Sequence, residues 1–238
     1  MKPETLLSLK GKILCVAGPP ASGKSTFCRD LEQHLNQEQL GFSARYFPEH
    51  VHQPLLEAYL ETNESRQKYA FSFQFIMAQR RISTYREAVL FAQSGGVALV
   101  DGPLQTDMAF ALMNYKNGHI IEKDYQIYLS MLTEYDSLPK PDYLIYLDVK
   151  PVTAHRRLLH RNRKSEVGAY DESFYTQLRE MNAIAFGSLP VSLIDYNHDD
   201  ETMDNPNEGV SQPQTITKEY LYRVLERVMR GVDLQNGI

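Results

Sequence analysis

The chain is 238 residues long, and its 42% hydrophobic and 23% charged residues exclude a fibre or a disordered chain and predict one large domain, residues 1–238, with a sizeable core. A formal net charge of −5 argues against a nucleic-acid-coating protein, which needs a broad basic face to release counterions, while a small anionic ligand needs only a local cationic site. Two cysteines cannot frame a disulfide scaffold and no window approaches the ~18 apolar residues of a membrane span, so the expectation is a soluble cytoplasmic protein without nucleic-acid or membrane partners.

Taken in order, the chain alternates short apolar runs with helical patterns. "KILCVAG" (12–18) reads as a first strand, and Lys24 to about Leu40, closed by Gly41, as a helix. "SARYFPE" (43–49) is the second strand, followed by a long helix from about Ser65 to Gln93 that stops at Gly95 and Gly96. "VALVDG" (97–102) is the third strand, with a helix expected from Asp124 to Leu138. "DYLIYLDV" (142–149) is the fourth; Pro151 opens a helix, and Asp171 is a plausible N-cap for another that reaches Phe186. After the fifth strand, "VSLIDYN" (191–197), the polar, acidic segment 198–214 reads as a mobile loop before a last helix from Thr217 to about Met229. Strands rich in Val, Ile, Leu and Tyr and joined by helices predict an α/β fold: a five-stranded parallel sheet with helices on both faces.

"GPPASGKST" satisfies the phosphate-loop pattern G-x-x-x-x-G-K-[ST] with Gly18, Gly23, Lys24 and Ser25, in the strand-to-helix context that such a loop requires. Backbone N–H groups of the turn, from Gly18 through Ala21, Ser22 and Gly23 to Thr26, face an anion; Lys24 reaches the outer phosphates; Ser25 can ligate Mg²⁺. A nucleoside triphosphate is therefore the expected first ligand. Two acids lie at the carboxyl ends of neighbouring strands, where open α/β sheets gather their ligands. Glu49 in "YFPEH" could take a proton from a hydroxyl acceptor or bind Mg²⁺, and its plainer alternative is a solvated strand-end acid. Asp101 in "VALVDG" is placed to organise the metal.

On the long helix, Gln74 and Arg81 are seven residues apart and share a face. An amide there matches the edge of a nucleobase, with Phe71, Phe73 and Phe75 beside it for packing or stacking; a core helix with a few polar residues is the plainer alternative. "HRRLLHRNRKSE" carries Arg156, Arg157, Arg161 and Arg163 after the fourth strand, where a mobile lid would stabilise a transferring phosphoryl group, against the alternative of a solvated basic face.

Together these stretches resemble the deoxyribonucleoside kinase family, of the type acting on deoxyadenosine, deoxyguanosine or deoxycytidine, from Lys12 to about Asp199. The resemblance implies a P-loop kinase fold with an Arg-rich lid, ATP or another triphosphate as donor, Mg²⁺, a homodimer and nucleotide salvage. It assigns Glu49, with Val51 beyond it, to the sugar's 5′ end, and Gln74 of "FSFQ" with Phe73 to the base. Arg81 and Asp107 are implied as a charged pair at the base edge, a pairing that favours purines or cytosine over thymine. Ala111 stands where relatives often hold a stacking phenylalanine. In "RNRKSE", Arg161 and Arg163 match lid arginines, with Arg157 one turn earlier, and Glu166 matches the residue on the sugar 3′-hydroxyl. Asn63 stands in register with the tyrosine that shares this contact, with Tyr59 as the alternative. Asp199, in "DYNHD", falls in the loop around the donor's adenine. The chain departs from the family at "DGPLQTD", where Gly102 and Pro103 replace an Arg-Ser pair; Arg80 and the lid arginines are the expected substitutes for that missing cation. Two further readings remain, a nucleoside monophosphate kinase and a nucleotide-binding regulatory protein that has lost catalysis. A GTPase switch is disfavoured because the chain lacks an N-K-x-D motif.

Overall fold

The computed structural model describes residues 3–163, 165–187, 189–197, 216–231 and 234–236. In chain order the elements are α1 (Pro3–Leu7), β1 (Ile13–Ala17), α2 (Lys24–Gln37), β2 (Ala44–Phe47), α3 (Gln53–Leu60), α4 (Asn63–Gln93) and β3 (Val97–Asp101). They continue with α5 (Leu104–Lys116), α6 (Glu122–Met131), α7 (Thr133–Asp136), β4 (Tyr143–Asp148), α8 (Pro151–Arg161), α9 (Glu172–Phe186), β5 (Pro190–Asp195), α10 (Lys218–Met229) and β6 (Leu234–Asn236).

The five expected strands form a parallel sheet in the order β2-β3-β1-β4-β5. A short sixth strand, β6, adds to β5 antiparallel, pairing Val191 with Gln235; three residues at the end of the chain carry too little pattern to be read as a strand. β1 and β3 are buried along their whole length, and alternate residues of β1 enter opposite cores. Leu14 and Val16 pack on one face with Phe27, Leu31 and Leu35 of α2 and Leu221 and Leu225 of α10. Ile13, Cys15 and Ala17 pack on the other with Ala78, Ile82 and Tyr85 of α4 and Tyr128 of α6. This two-sided burial is what the period of two along a strand delivers when helices cover both faces. β1 lies between β3 and β4, so the chain leaves it at the point where strand order reverses, the crevice where open α/β sheets bind ligands.

The helix readings hold for α2, α4, α8, α9 and α10 within a few residues. Asp171 caps α9 by accepting the Phe174 N–H at 2.8 Å, and Thr62 caps α4 by accepting the Ser65 N–H at 3.1 Å. The helix expected over Asp124–Leu138 divides at Leu132 into α6 and α7. α3 and α5 lie in stretches left unassigned by the sequence. The expected loop at 198–214 lies outside the described residues.

Candidate active site

The turn between β1 and α2 is shaped by backbone that few residues adopt. Gly18, Ala21 and Gly23 have φ of 147°, 61° and 98°. A Cβ on Gly18 would meet Ser22 Oγ at 2.7 Å, and one on Gly23 would meet the Tyr196 ring at 2.9 Å. The glycines are therefore required by both conformation and space. Lys24 Nζ donates to the carbonyls of Gly18 at 3.0 Å and Pro19 at 2.9 Å. Loss of solvent lowers its pKa, with Asp101 and Glu49 acting in the opposite sense. An anion seated in the turn would supply the charge that this ammonium lacks.

Ser25 Oγ donates to Asp101 Oδ2 at 2.6 Å, and Tyr46 Oη donates to the same oxygen at 3.0 Å. Asp101 Oδ1 is buried and has no hydrogen bond among the described residues. An unpartnered carboxylate oxygen beside a loop hydroxyl is a hard-donor set suited to Mg²⁺, which is commonly held by one or two carboxylates together with substrate phosphates. Among the described residues no three His, Cys, Asp or Glu side chains group as a closed metal cage.

A cavity of about 550 Å³ runs from this loop to α5. It is lined by the loop from Gly18 to Thr26 (except Pro19), by Glu49 and Val51 beyond β2, and by Phe73, Gln74, Met77 and Arg81 of α4. Asp101, Asp107, Arg157, Arg161, Arg163 and Glu166 also lie on its walls. Gln74 is only 2% exposed, and Phe73 stacks on Tyr59 with ring centroids 5.3 Å apart. At the end of α8, Arg161 pairs with Glu166 Oε2, and just beyond it Arg163 Nη1 lies 3.5 Å from Oε1. Arg157 donates to the carbonyls of Tyr196 at 2.9 Å and Ser22 at 3.3 Å, tying α8 to the phosphate loop.

Arg81 makes an ion pair with Glu49 Oε1 and donates to the Gly102 carbonyl at 2.8 Å. Its approach to Asp107 is looser, Nε to Oδ1 at 3.6 Å. Asp107 is instead hydrogen-bonded by Tyr128 Oη at 2.7 Å. Burial pushes its pKa up to about 6, against the opposing effects of Arg81 and Tyr128.

Two expected positions fall elsewhere, and a third lies outside the described residues. Ala111 is fully buried in the core with Ile82 and Tyr128, because one residue advances the helix by 100° and turns it away from the cavity wall that Phe110 occupies. Asn63 opens α4 outside the cavity, its Oδ1 3.2 Å from His119 Nε2, while Tyr59 lines the cavity and donates to Asn114 Oδ1 at 2.8 Å. Asp199 lies outside the described residues. Of the three aromatics around Gln74, Phe73 alone lines the cavity; Phe71 and Phe75 pack on each other with centroids 5.8 Å apart. Of the expected substitutes for the cation missing at Gly102, Arg80 donates to the His50 carbonyl at 3.2 Å and Arg161 and Arg163 face Glu166, while the space beside Gly102 holds the Arg81 guanidinium. Tyr46 and Tyr128, which hydrogen-bond Asp101 and Asp107, have no role in the sequence reading. Tyr46 sits one residue from the end of β2, two before the strand-end turn that a period of two could have linked to Asp101; Tyr128 carries no local signal, since only packing of α6 on α5 brings it to Asp107.

The deoxynucleoside kinase family model matches residues 14–217. The chain is 25% identical over 194 residues to deoxyadenosine kinase of Dictyostelium discoideum, covering 80% of this chain and 74% of that one. It is also 25% identical over 175 residues to deoxyguanosine kinase of Lactobacillus johnsonii, covering 70% and 72%. Among solved structures, deoxyadenosine kinase from M. mycoides with the products dCMP and a flexible dCDP bound is similar, with a TM-score of 0.63, 21% identity, and 92% and 97% of the two chains covered. The same enzyme with bound dATP gives a TM-score of 0.60 at 23% identity, covering 78% and 91%. At these identities the structural likeness shows the fold.

Proposed function

The chain belongs to the deoxynucleoside kinase family and is a nucleoside-phosphorylating phosphotransferase; from that premise we propose that it moves the γ-phosphoryl of ATP or another triphosphate to the 5′-hydroxyl of a deoxyribonucleoside. Purines or cytosine are preferred over thymine in this reading, because the buried carboxylate of Asp107 lines the cavity and an apolar methyl beside it would have to desolvate it. The observation that carries the reading is that Glu49 and Gln74 line one cavity with the phosphate loop. The binding of dCMP and dCDP or of dATP to the M. mycoides enzyme supports a site that takes both a deoxynucleoside moiety and a phosphate chain.

In the mechanism, Gln74 orients the base, Phe73 packs beside it, and Glu166 takes the sugar 3′-hydroxyl. Glu49 accepts the 5′-hydroxyl proton as that oxygen attacks the γ-phosphorus in line; the bond to the β,γ-bridging oxygen breaks and the diphosphate leaves. Lys24 and the loop N–H groups hold the donor phosphates, and Arg157, Arg161 and Arg163 stabilise the charge that spreads over the transferring group. Ser25 and Asp101 would hold Mg²⁺, which would supply charge that neutralises the donor phosphates. A homodimer and a cytoplasmic role in nucleotide salvage accompany this reading through the family resemblance.

The test is diphosphate release with ATP and Mg²⁺ over the four common deoxynucleosides and their monophosphates. Turnover is expected with deoxynucleosides, and Glu49→Gln should bind nucleoside while losing about 10²–10⁴-fold in kcat. Turnover with monophosphates alone would assign the other kinase class, and near-normal turnover by Glu49→Gln would remove that carboxylate from the chemistry.

A further inference from the structure

Gly102 leaves a gap at the end of β3 that another side chain fills. It has φ of +79°, and a Cβ built on it would lie 2.1 Å from Arg81 Nη1. Arg81 Nη1 donates to the carbonyl of that same glycine at 2.8 Å, and Nη2 pairs with Glu49 Oε1. Two of the guanidinium nitrogens are thus committed to the hydroxyl end of the cavity. The third, Nε, is buried without a hydrogen bond among the described residues and stands 3.6 Å from Asp107 Oδ1, beyond hydrogen-bond reach. Asp107 takes its hydrogen bond from Tyr128. The Arg81 side chain is only 8% exposed, so its contacts are those of a charge held in low dielectric, where a direct ion pair counts for far more than at a surface.

Resting on the assignment of Glu49 as general base, we propose that Arg81 is the positioning residue of that base, occupying through the absence of a side chain at Gly102 the place from which a cation fixes the Glu49 carboxylate. Arg81 holds Oε1, which turns the other carboxylate oxygen, Oε2, toward the 5′-hydroxyl. As the new O–P bond forms and the bond to the leaving diphosphate breaks, the hydroxyl proton passes to Oε2 while Arg81 keeps its own protons. The neighbouring cavity bounded by Glu49, Arg81 and Gly102 is only about 10 Å³; Arg80 also lines it but donates to the His50 carbonyl at 3.2 Å, whereas Arg81 is the guanidinium that pairs with Glu49. Gly102 and Arg81 therefore act as one unit, and Arg81 belongs to turnover more than to choice of base.

The experiment is steady-state kinetics on full-length wild-type protein, Arg81→Lys, Arg81→Ala, Gly102→Ala and the double variant Arg81→Ala/Gly102→Ala, with each deoxynucleoside the wild type accepts. Arg81→Ala is expected to lower kcat about 10²-fold by a similar factor for every base, with KM changing little, because orientation of a general base is a transition-state effect. Arg81→Lys should restore part of the loss, and millimolar guanidinium ion should restore part of it in Arg81→Ala, which a merely structural defect does not allow. Gly102→Ala should lower kcat while Arg81 is present and cost little further in the Arg81→Ala background, since in contact pairs the effects are not additive. If Gly102→Ala does not fold, the Arg81 series with guanidinium rescue decides. A change in relative kcat/KM among bases with kcat preserved, or additive losses in the double variant, would overturn the assignment while leaving the kinase reading intact. Absence of turnover with any deoxynucleoside in the wild type would overturn the kinase reading, and this assignment with it.

Discussion

Asp107 is the most tightly confined charge in the cavity wall, 2% exposed, with a tyrosine hydroxyl for its hydrogen bond and Arg81 at a distance. Its pKa is raised to about 6 by burial, so in the folded protein it binds a proton more tightly than in the unfolded chain. Between about pH 4 and pH 6 the folded state therefore loses stability relative to the unfolded state as pH rises. Asp107→Asn is expected to abolish this contribution: the variant should gain on the wild type by on the order of 2–3 kcal/mol across that window, read by urea denaturation at pH 4 and pH 7. The same titration bears on recognition. If the carboxylate accepts from an exocyclic amine, KM for the preferred deoxynucleoside should rise as pH falls through about 6 in the wild type and stay flat in Asp107→Asn; parallel profiles would remove Asp107 from the base site.

The way one helix ends bears on two arginines of the cavity wall. α8 stops at Asn162, whose backbone is left-handed, with φ 48° and ψ 43°, and whose N–H bonds back to the carbonyls of Leu158 and Leu159. That reversal sends Arg161 and Arg163 to the same carboxylate, Glu166, on the cavity wall. Asparagine tolerates this conformation; a β-branched residue does not. Asn162→Gly should leave stability and kcat near wild type, whereas Asn162→Val should lose about 1–2 kcal/mol in stability and lower kcat by more than it raises nucleoside KM. Equal kinetics in the two variants would mean that the turn does not aim the arginines.

For the whole molecule, the cavity is built by parts far apart in sequence: the loop behind β1, the ends of β2 and β3, the wall of α4, the start of α5 and the end of α8. Ligand binding should therefore hold these elements together. A non-hydrolysable triphosphate with Mg²⁺ at 100 times its Kd should add about 2.7 kcal/mol, a rise in Tm of roughly 5–10 °C for a domain of this size. Chelating the metal should shrink that shift in the wild type and have little effect in Asp101→Asn. A shift that is insensitive to chelation in the wild type would count against Ser25 and Asp101 as the metal-holding pair.

The amino-acid sequence by itself determined the parallel sheet, the phosphate loop and the candidates Glu49, Gln74 and Asp101, because each rests on a local pattern: apolar runs of strand length, glycines at fixed spacing, acids at strand ends, a heptad separation on one helix; Glu166 came only from the family resemblance. It could not determine which side chains meet across elements. Ala111 and Phe110 differ by 100° on a helix that the pattern left unassigned, and the Tyr128–Asp107 bond joins α6 to α5. The arginine expected to pair with Asp107 reaches it only at 3.6 Å and makes its closer ion pair with Glu49, since the room beside Gly102 exists only once β3 and α4 have packed. Spacing along a chain fixes direction on one element, while charge pairing is decided by distance between elements, and that distance belongs to the tertiary structure.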